Sequence, residues 1–211
     1  MPFPARIAIA TKNAHKLREL LRICRDWPVE WLTVETHSGP WPDVEEPHDT
    51  YLDNALEKAR LVARSLGVPA VADDSGIEVD GLDGAPGPRS ARYAGEGATD
   101  AENLEKLLVA IARFPSQHKT ARYRCLAAIA WPDGSEMHAE AVCEGMLIAD
   151  PRGTGGFGYD PAFVPEGEIR TMAELSDEEK DEISHRGRAF RALAGQLSDR
   201  PPREKRAGFG A

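Results

Sequence analysis

Apolar residues along the chain set out alternating strands and helices. Ala5 to Ala10 is a short apolar run that reads as a buried strand. Polar Thr11-Lys12-Asn13 follows, and His15 to Cys24 then carries Leu17, Leu20, Leu21 and Cys24 at helical spacing. Trp27 to Val34 supplies a second strand, and His37 to His48, with three prolines and a cluster of acids, reads as a loop. Asp49 to Leu66 is the clearest helix: Leu52, Ala55, Leu56, Ala59, Val62, Ala63 and Leu66 fall on one face, Thr50 can cap its start, and Gly67 with Pro69 ends it.

Ala70 to Ala72 predicts a brief strand leading into an acidic turn at Asp73-Asp74-Ser75-Gly76, after which Ile77 to Asp80 alternates like a half-exposed strand. Gly81 to Gly97 is a long glycine- and proline-rich loop, and a loop of that length points to function. Thr99 with Glu102 forms a capping-box pattern opening a helix through Leu104, Leu107, Leu108 and Ile111. Thr120 to Trp131 and Glu136 to Ile148 predict a hairpin about Pro132-Asp133-Gly134. Ser176 with Glu179 caps another helix, Ala189 to Leu197 forms the last, and Pro201 to Ala211 reads as a disordered tail. The order is mixed α/β, with the hairpin making part of the sheet antiparallel.

Composition narrows the function. With 211 residues, 41% of them hydrophobic and 29% charged, the chain reads as one soluble globular domain. No apolar run approaches the roughly 20 residues that span a bilayer, and the first residues lack the pattern of a signal peptide, so a cytoplasmic location and no membrane partner are expected. A net charge of -9 argues against binding to a nucleic-acid backbone but leaves room for a small phosphorylated ligand. Cys24, Cys125 and Cys143 are widely spaced and read as reduced structural thiols.

Four segments carry candidate chemistry. Thr11-Lys12-Asn13-Ala14-His15-Lys16 lies between a buried strand and a helix. It is either a capped turn or a phosphate seat formed by backbone N–H groups, the helix end and two lysines. The acid pairs Glu45-Glu46 and Asp73-Asp74 are either solvated turns or sites where a cation offsets mutual repulsion. Glu45-Glu46 alone reads as a solvated turn. Asp73-Asp74-Ser75-Gly76 follows an apolar strand, where ligands gather in α/β sheets. Gly153 to Pro161 contains GxGxxG but fails as a dinucleotide fingerprint, because Tyr159-Asp160-Pro161 stands where a helix should open. Its glycines allow close backbone approach to a ligand, and Phe157 or Tyr159 offers a ring for stacking on a base. Ser184-His185-Arg186-Gly187 reads as a helix junction with a surface histidine. With Lys180 it is also a donor set suited to a phosphate or to the oxygens of a base.

Taken together, Ala72-Asp73-Asp74-Ser75-Gly76, Ser90-Ala91-Arg92-Tyr93, Gly153 to Pro161 and Ser184-His185-Arg186-Gly187 resemble the inosine/xanthosine triphosphatase family, the dITP/XTP pyrophosphatases, from about Ile7 to Leu197. The resemblance implies an α/β fold, with a long mixed β-sheet flanked by helices and two lobes around a central substrate cleft. It implies one such domain over 1–199, with 200–211 as the tail. The implied activity is Mg²⁺-dependent hydrolysis of ITP, dITP and XTP to the monophosphate and pyrophosphate by a homodimer acting on a small-molecule nucleoside triphosphate. Residue by residue, it implies Asp74 as proton acceptor and metal ligand, and Glu45 or Glu46 as the other metal-side acid. Thr11, Lys12, Asn13, Ala14, His15 and Lys16 become the triphosphate turn, and Ser75, Phe157, Gly158, Tyr159, Asp160, Lys180, His185 and Arg186 the remaining nucleotide contacts. The family turn usually reads Thr-Gly-Asn, and here Lys12 stands in place of the glycine. Two other readings compete. One is a house-cleaning pyrophosphatase for modified pyrimidine or methylated nucleotides, and the other a nucleotide sensor without catalysis.

Overall fold

The long helix and the central strands are held together by small side chains. Helix α2 (Tyr51–Leu66) starts at Thr50, whose hydroxyl accepts from the Asp53 N–H at 3.1 Å, and ends at Gly67 in the left-handed conformation with φ 67°. It lays Ala55, Ala59, Val62 and Ala63 against Ala8, Ala70, Ala72, Leu126, Ala128 and Ala130 of the sheet, all of them buried. Alanine on both surfaces lets the helix approach the sheet closely.

The structure, a computed structural model, describes residues 3–44, 47–115 and 119–199. Glu45, Glu46 and the tail expected at 200–211 lie outside the described residues. Among the described residues, six strands form one mixed sheet in the order β2-β1-β3-β4-β5-β6. These are β1 (Arg6–Ile9), β2 (Glu30–Leu32), β3 (Ala70–Val79), β4 (Thr120–Ala130), β5 (Glu136–Leu147) and β6 (Phe163–Pro165). β1 runs parallel to β2 and β3, and every later pairing is antiparallel. The α/β reading and the hairpin therefore hold.

α1 (Ala14–Ile23) and α5 (His185–Asp199) pack on the face opposite α2, where Leu17, Leu20, Phe190, Leu193 and Leu197 meet Ile7, Ile9, Val71, Ala127 and Ile129. Further along the sheet, α3 (Asp100–Ile111) joins a third cluster through Leu107 and Ile111, with Ile77, Val79, Tyr123, Leu147 and Phe163. α4 (Asp177–Ile183) stands just before α5. The capping boxes expected at Thr99/Glu102 and Ser176/Glu179 are both present.

The largest departure from the sequence reading is β3. Asp73-Asp74-Ser75-Gly76 is not a turn: it lies inside one ten-residue strand, paired with β4 from Ala70↔Ala130 through Val79↔Ala121. Gly76 tolerates the strand because the Gly87–Arg92 turn crosses directly over it. A Cβ at Gly76 would lie 2.2 Å from the Gly87 carbonyl oxygen and 2.5 Å from Ser90 Oγ. Ser90 Oγ accepts from the Ile77 N–H at 2.9 Å and donates to the Gly87 carbonyl at 2.6 Å, which fixes that crossing. Smaller differences have simpler causes. β2 keeps only three residues of the expected Trp27–Val34 strand, and α5 begins four residues earlier than Ala189. β6, also of three residues, is too short to leave a period.

Gly76→Ala should therefore cost about 3 kcal/mol, at the upper end for overpacking, because the atom in the way is backbone. Urea unfolding of the two proteins measures it, and a loss under about 0.5 kcal/mol would mean that the crossing gives way freely.

Candidate functional site

A cleft of about 290 Å³ opens beside the polar stretch of β3, where the first two core clusters give way to the third. It brings together most of the residues singled out from sequence: Thr11, Lys12, Asn13, Lys16, Asp74, Ser75, Phe157, Gly158, Tyr159, Lys180, His185 and Arg186. Ala14, His15 and Asp160 stand outside the lining. Ala14 is the exposed first residue of α1, and the His15 ring stacks on Phe157 at 5.3 Å. Asp160 supports the wall from behind.

The turn before α1 is a capped turn first. Asn13 Oδ1 accepts from the N–H groups of His15 at 2.9 Å and Lys16 at 3.1 Å, so those two are not open to an anion. The positive charge this turn offers comes from Lys12, Lys16 and the helix end. Lys12 is unstrained in the glycine's place, since Asp83 is the one non-glycine residue with positive φ among the described residues. Its Nζ lies 2.8 Å from Asp43 Oδ1. Asp43 belongs to the same segment as Trp41, Pro42 and Val44, which also line the cleft.

The adjacent acids do not face each other. Successive side chains of a strand point to opposite faces, so the pleat separates Asp73 from Asp74. Asp74, on the α2 face, accepts from Asn54 Nδ2 at 3.0 Å and from the Ser75 N–H at 3.0 Å, with Lys58 Nζ 3.6 Å away. Asp73, on the α1/α5 face, accepts from Arg186 Nε at 3.2 Å and Nη2 at 3.1 Å and from Ser75 Oγ at 3.2 Å. Lys16 Nζ stands 3.3 Å from it. Burial alone would raise the Asp73 pKa, but Lys16, Arg186 and Lys58 together hold it far below the usual carboxylate range. Asp74 lines the cleft and Asp73 does not.

Behind the wall runs a chain of buried charges that sequence reading did not reveal. Glu19 of α1 is 6% exposed and receives both Lys180 Nζ, at 2.5 Å, and the Arg186 guanidinium. Lys180 also donates to Asp160 Oδ2 at 2.6 Å, and Tyr123 donates to Asp160 Oδ1 at 3.1 Å. Burial pushes the Glu19 pKa up, and Arg186 and Lys180 more than reverse it. The one sequence signal for Glu19 is its place three residues after Lys16, on the same helix face. Lys58 and Tyr123, which also line the cleft, carried no signal.

His185 is buried and neutral rather than a surface residue. Burial and the neighbouring Arg186 and Lys180 push its pKa well below 6.5. Its ring stacks on Tyr123 at 4.6 Å and 7°, and its Nδ1 has no hydrogen-bond partner.

The glycine-rich segment is pinned rather than loose. Gly158 N–H donates to Asp100 Oδ2 at 3.0 Å, Phe157 N–H to Asp160 Oδ2 at 2.9 Å, and Tyr159 Oη to the Ser90 carbonyl at 2.7 Å. Gly156, with φ 65°, passes so close to Asp160 that a Cβ would lie 2.1 Å from its carboxylate. The Phe157 ring faces two cations, Lys180 Nζ at 5.1 Å and Arg186 Cζ at 5.6 Å from its centroid.

The sequence signature of the Ham1 family matches residues 7–196. The chain is 51% identical over 189 residues to the dITP/XTP pyrophosphatase of Streptomyces coelicolor, covering 89% of this chain and 94% of that protein. It is 45% identical over 192 residues to the dITP/XTP pyrophosphatase of Geobacter sulfurreducens, covering 91% and 96%. The solved structure of a HAM1 protein from Coxiella burnetii superposes with a TM-score of 0.82 at 38% identity, covering 93% of this chain and all of that one. The chain belongs to the Ham1 family.

The buried neutral His185 sets a pH dependence of stability. Below pH of about 6.5 the unfolded chain protonates this histidine and the native protein does not, so acidification favours unfolding by up to about 1.4 kcal/mol per pH unit. Asp73 and Glu19 have lowered pKa values, so their stabilisation is present above about pH 4 and is lost only below it. Between pH 6.5 and 5, His185→Gln should therefore flatten the slope of unfolding free energy against pH by about one proton. Equal slopes for the two proteins in urea titrations would show that His185 protonates freely in the fold.

Proposed function

We propose that this chain hydrolyses dITP, ITP and XTP between the α and β phosphates, releasing pyrophosphate and the nucleoside monophosphate. The observation that carries the reading is Asp74. It lies in the same cleft as phosphate-side lysines and a base-side set of rings and donors, in a chain 51% identical to a dITP/XTP pyrophosphatase. The chemistry is attack of one water on the α phosphorus. The P–O bond to the β phosphate breaks, pyrophosphate leaves with the bond electrons, and Asp74 takes the water's proton.

Lys12 and Lys16 bind the phosphates and neutralise charge as it develops on the leaving group. Phe157 and Tyr159 give the purine a stacking surface. A 6-oxo purine presents an acceptor where adenine presents an amino donor. Arg186 is largely engaged by Asp73, Glu19 and Ser75, so the neutral imidazole of His185 is the better candidate to meet that oxygen. A donor left unpaired against adenine in so enclosed a site discriminates by up to about 10⁴.

Mg²⁺ fits the donor set in a particular way. Among the described residues no group of three or more His, Cys, Asp or Glu can hold a metal by itself. Magnesium is usually held by one or two carboxylates plus substrate phosphate oxygens, and Asp74 with Glu45 or Glu46 answers that need. Bound there, it would supply Lewis-acid stabilisation of the phosphate oxygens. No helix of the described residues is long and apolar enough to cross a membrane. The homodimer is carried forward from the family resemblance.

With Mg²⁺ present, the protein should release pyrophosphate from dITP and XTP and far less from dATP. Asp74→Asn should lower kcat by about 10²-fold or more while nucleotide affinity stays within a few fold. A panel in which no deaminated purine triphosphate is cleaved would overturn the proposal. Wild-type turnover by Asp74→Asn would remove the base from Asp74.

A further inference from the structure

Asn54 has no evident reason to be where it is. It lies in the first turns of α2, fully buried, between Tyr51 and the alanine face that packs on the sheet. Asparagine is a weak helix former, and a buried amide is costly unless its polar atoms are matched. Here they are matched closely. Oδ1 accepts from the His48 N–H at 3.0 Å, and Nδ2 donates to the His48 carbonyl at 3.1 Å. Nδ2 also donates to Asp74 Oδ2 at 3.0 Å.

These partners fix which way the amide points. The oxygen must meet an N–H, and the nitrogen must meet a carbonyl and a carboxylate, so the reverse orientation would oppose like groups at all three contacts. The side chain pairs with His48 much as a neighbouring strand would, and that pairing aims its remaining N–H at Asp74. With the Ser75 N–H on Oδ1, each Asp74 oxygen then receives one neutral donor, and the plane of the carboxylate is set. The same amide anchors the end of the segment that leads from the cleft-lining Trp41, Pro42 and Val44 to α2.

We propose that Asn54 is a positioning residue for the hydrolysis. It orients the Asp74 carboxylate and ties that orientation to the chain at His48, without itself touching the nucleotide. The inference rests on the reading of Asp74 as proton acceptor. No other side chain of this size replaces it: aspartate lacks the donors, leucine lacks both donor and acceptor, and alanine cannot reach. A group displaced by about 1 Å from its productive geometry can lose about 10²-fold in rate, which is the scale of effect the position commands.

The test compares wild type, Asn54→Asp, Asn54→Ala, Asn54→Ser and Thr50→Ala, the last removing the cap of the same helix. Each is assayed for pyrophosphate release from dITP with Mg²⁺, for binding of a non-hydrolysable dITP analogue, and for Tm. The Asn54 variants should lose about 30- to 100-fold in kcat, with analogue affinity within about threefold of wild type. Thr50→Ala should lower Tm by a few degrees and leave kcat intact. A purely structural role would instead make the Asn54 variants behave like Thr50→Ala, with lower Tm and unchanged kcat, and that result overturns the proposal. Should Asn54→Ala fail to fold, the neutral Asn54→Ser decides alone, since Asn54→Asp also sets a second carboxylate against Asp74. If wild type itself cleaves no dITP, the functional reading fails, and not the assignment of Asn54 within it.

Discussion

Two carboxylates buried in mid-strand, one on each side of the sheet, set the main constraint on this structure. Asp73 and Asp74 are each 3% exposed at the centre of β3, where an unmatched charge would cost several kcal/mol. The two faces answer differently. On one, Asp73 is met by full cations drawn from α1 and α5, and the helices are locked to the sheet through charge. On the other, Asp74 is met by the Asn54 amide and a backbone N–H, with Lys58 somewhat further off. The first arrangement holds a carboxylate ionised and unreactive. The second orients a carboxylate at the edge of a cleft, where the proposed function gives it a part in chemistry.

The same constraint explains what the sequence disclosed. Helices were readable because their caps and apolar stripes are local: Thr50, the Thr99/Glu102 box and the Ser176/Glu179 box each act within a few residues. β3 was misread because four polar or small residues in a row look like a turn to any hydrophobic pattern. Burial by ion pairing leaves no such pattern, since the partners of Asp73 come from 57 residues before it and 113 after it. The motif segments of the cleft were recognisable as segments. Glu19, Asn54 and Lys58 were not, because each is an ordinary helix residue until the fold places it against the site. His185 looked like a surface residue beside an acidic run, and only the stacked Tyr123 ring shows why it is buried.

The net charge of -9 looks unpromising for a phosphate ligand, and the cleft shows how the two are reconciled. Lys12, Lys16, Lys58, Lys180 and Arg186 line it against only Asp74 and Asp100 among the described acids. Acids stand behind this front: Asp73 behind Lys16 and Arg186, and Glu19 with Asp160 behind Lys180. The acids offset most of the desolvation of the cations, and the cations remain at the surface a ligand meets. Preorganised charge of this kind needs no rearrangement when a nucleotide enters, which is what makes it effective against charge that develops during reaction.

This layering also separates stability from chemistry. Removing Arg186 would leave Glu19 with Lys180 alone and Asp73 with Lys16 alone as ion-pair partners, a loss of about 3 kcal/mol, so that residue cannot be probed for function without disturbing the fold. Asp74 is different. Its hydrogen bonds from Asn54 and the Ser75 backbone are neutral, and an asparagine there costs one partner of the buried Lys58, whose Nζ stands 3.6 Å away, without stranding a pair of carboxylates. The pleat of β3 thus divides two neighbouring aspartates into one that holds the structure and one that can be altered within it. A selective loss of turnover at Asp74 is interpretable only because Asp73, on the other face, keeps the scaffold in place.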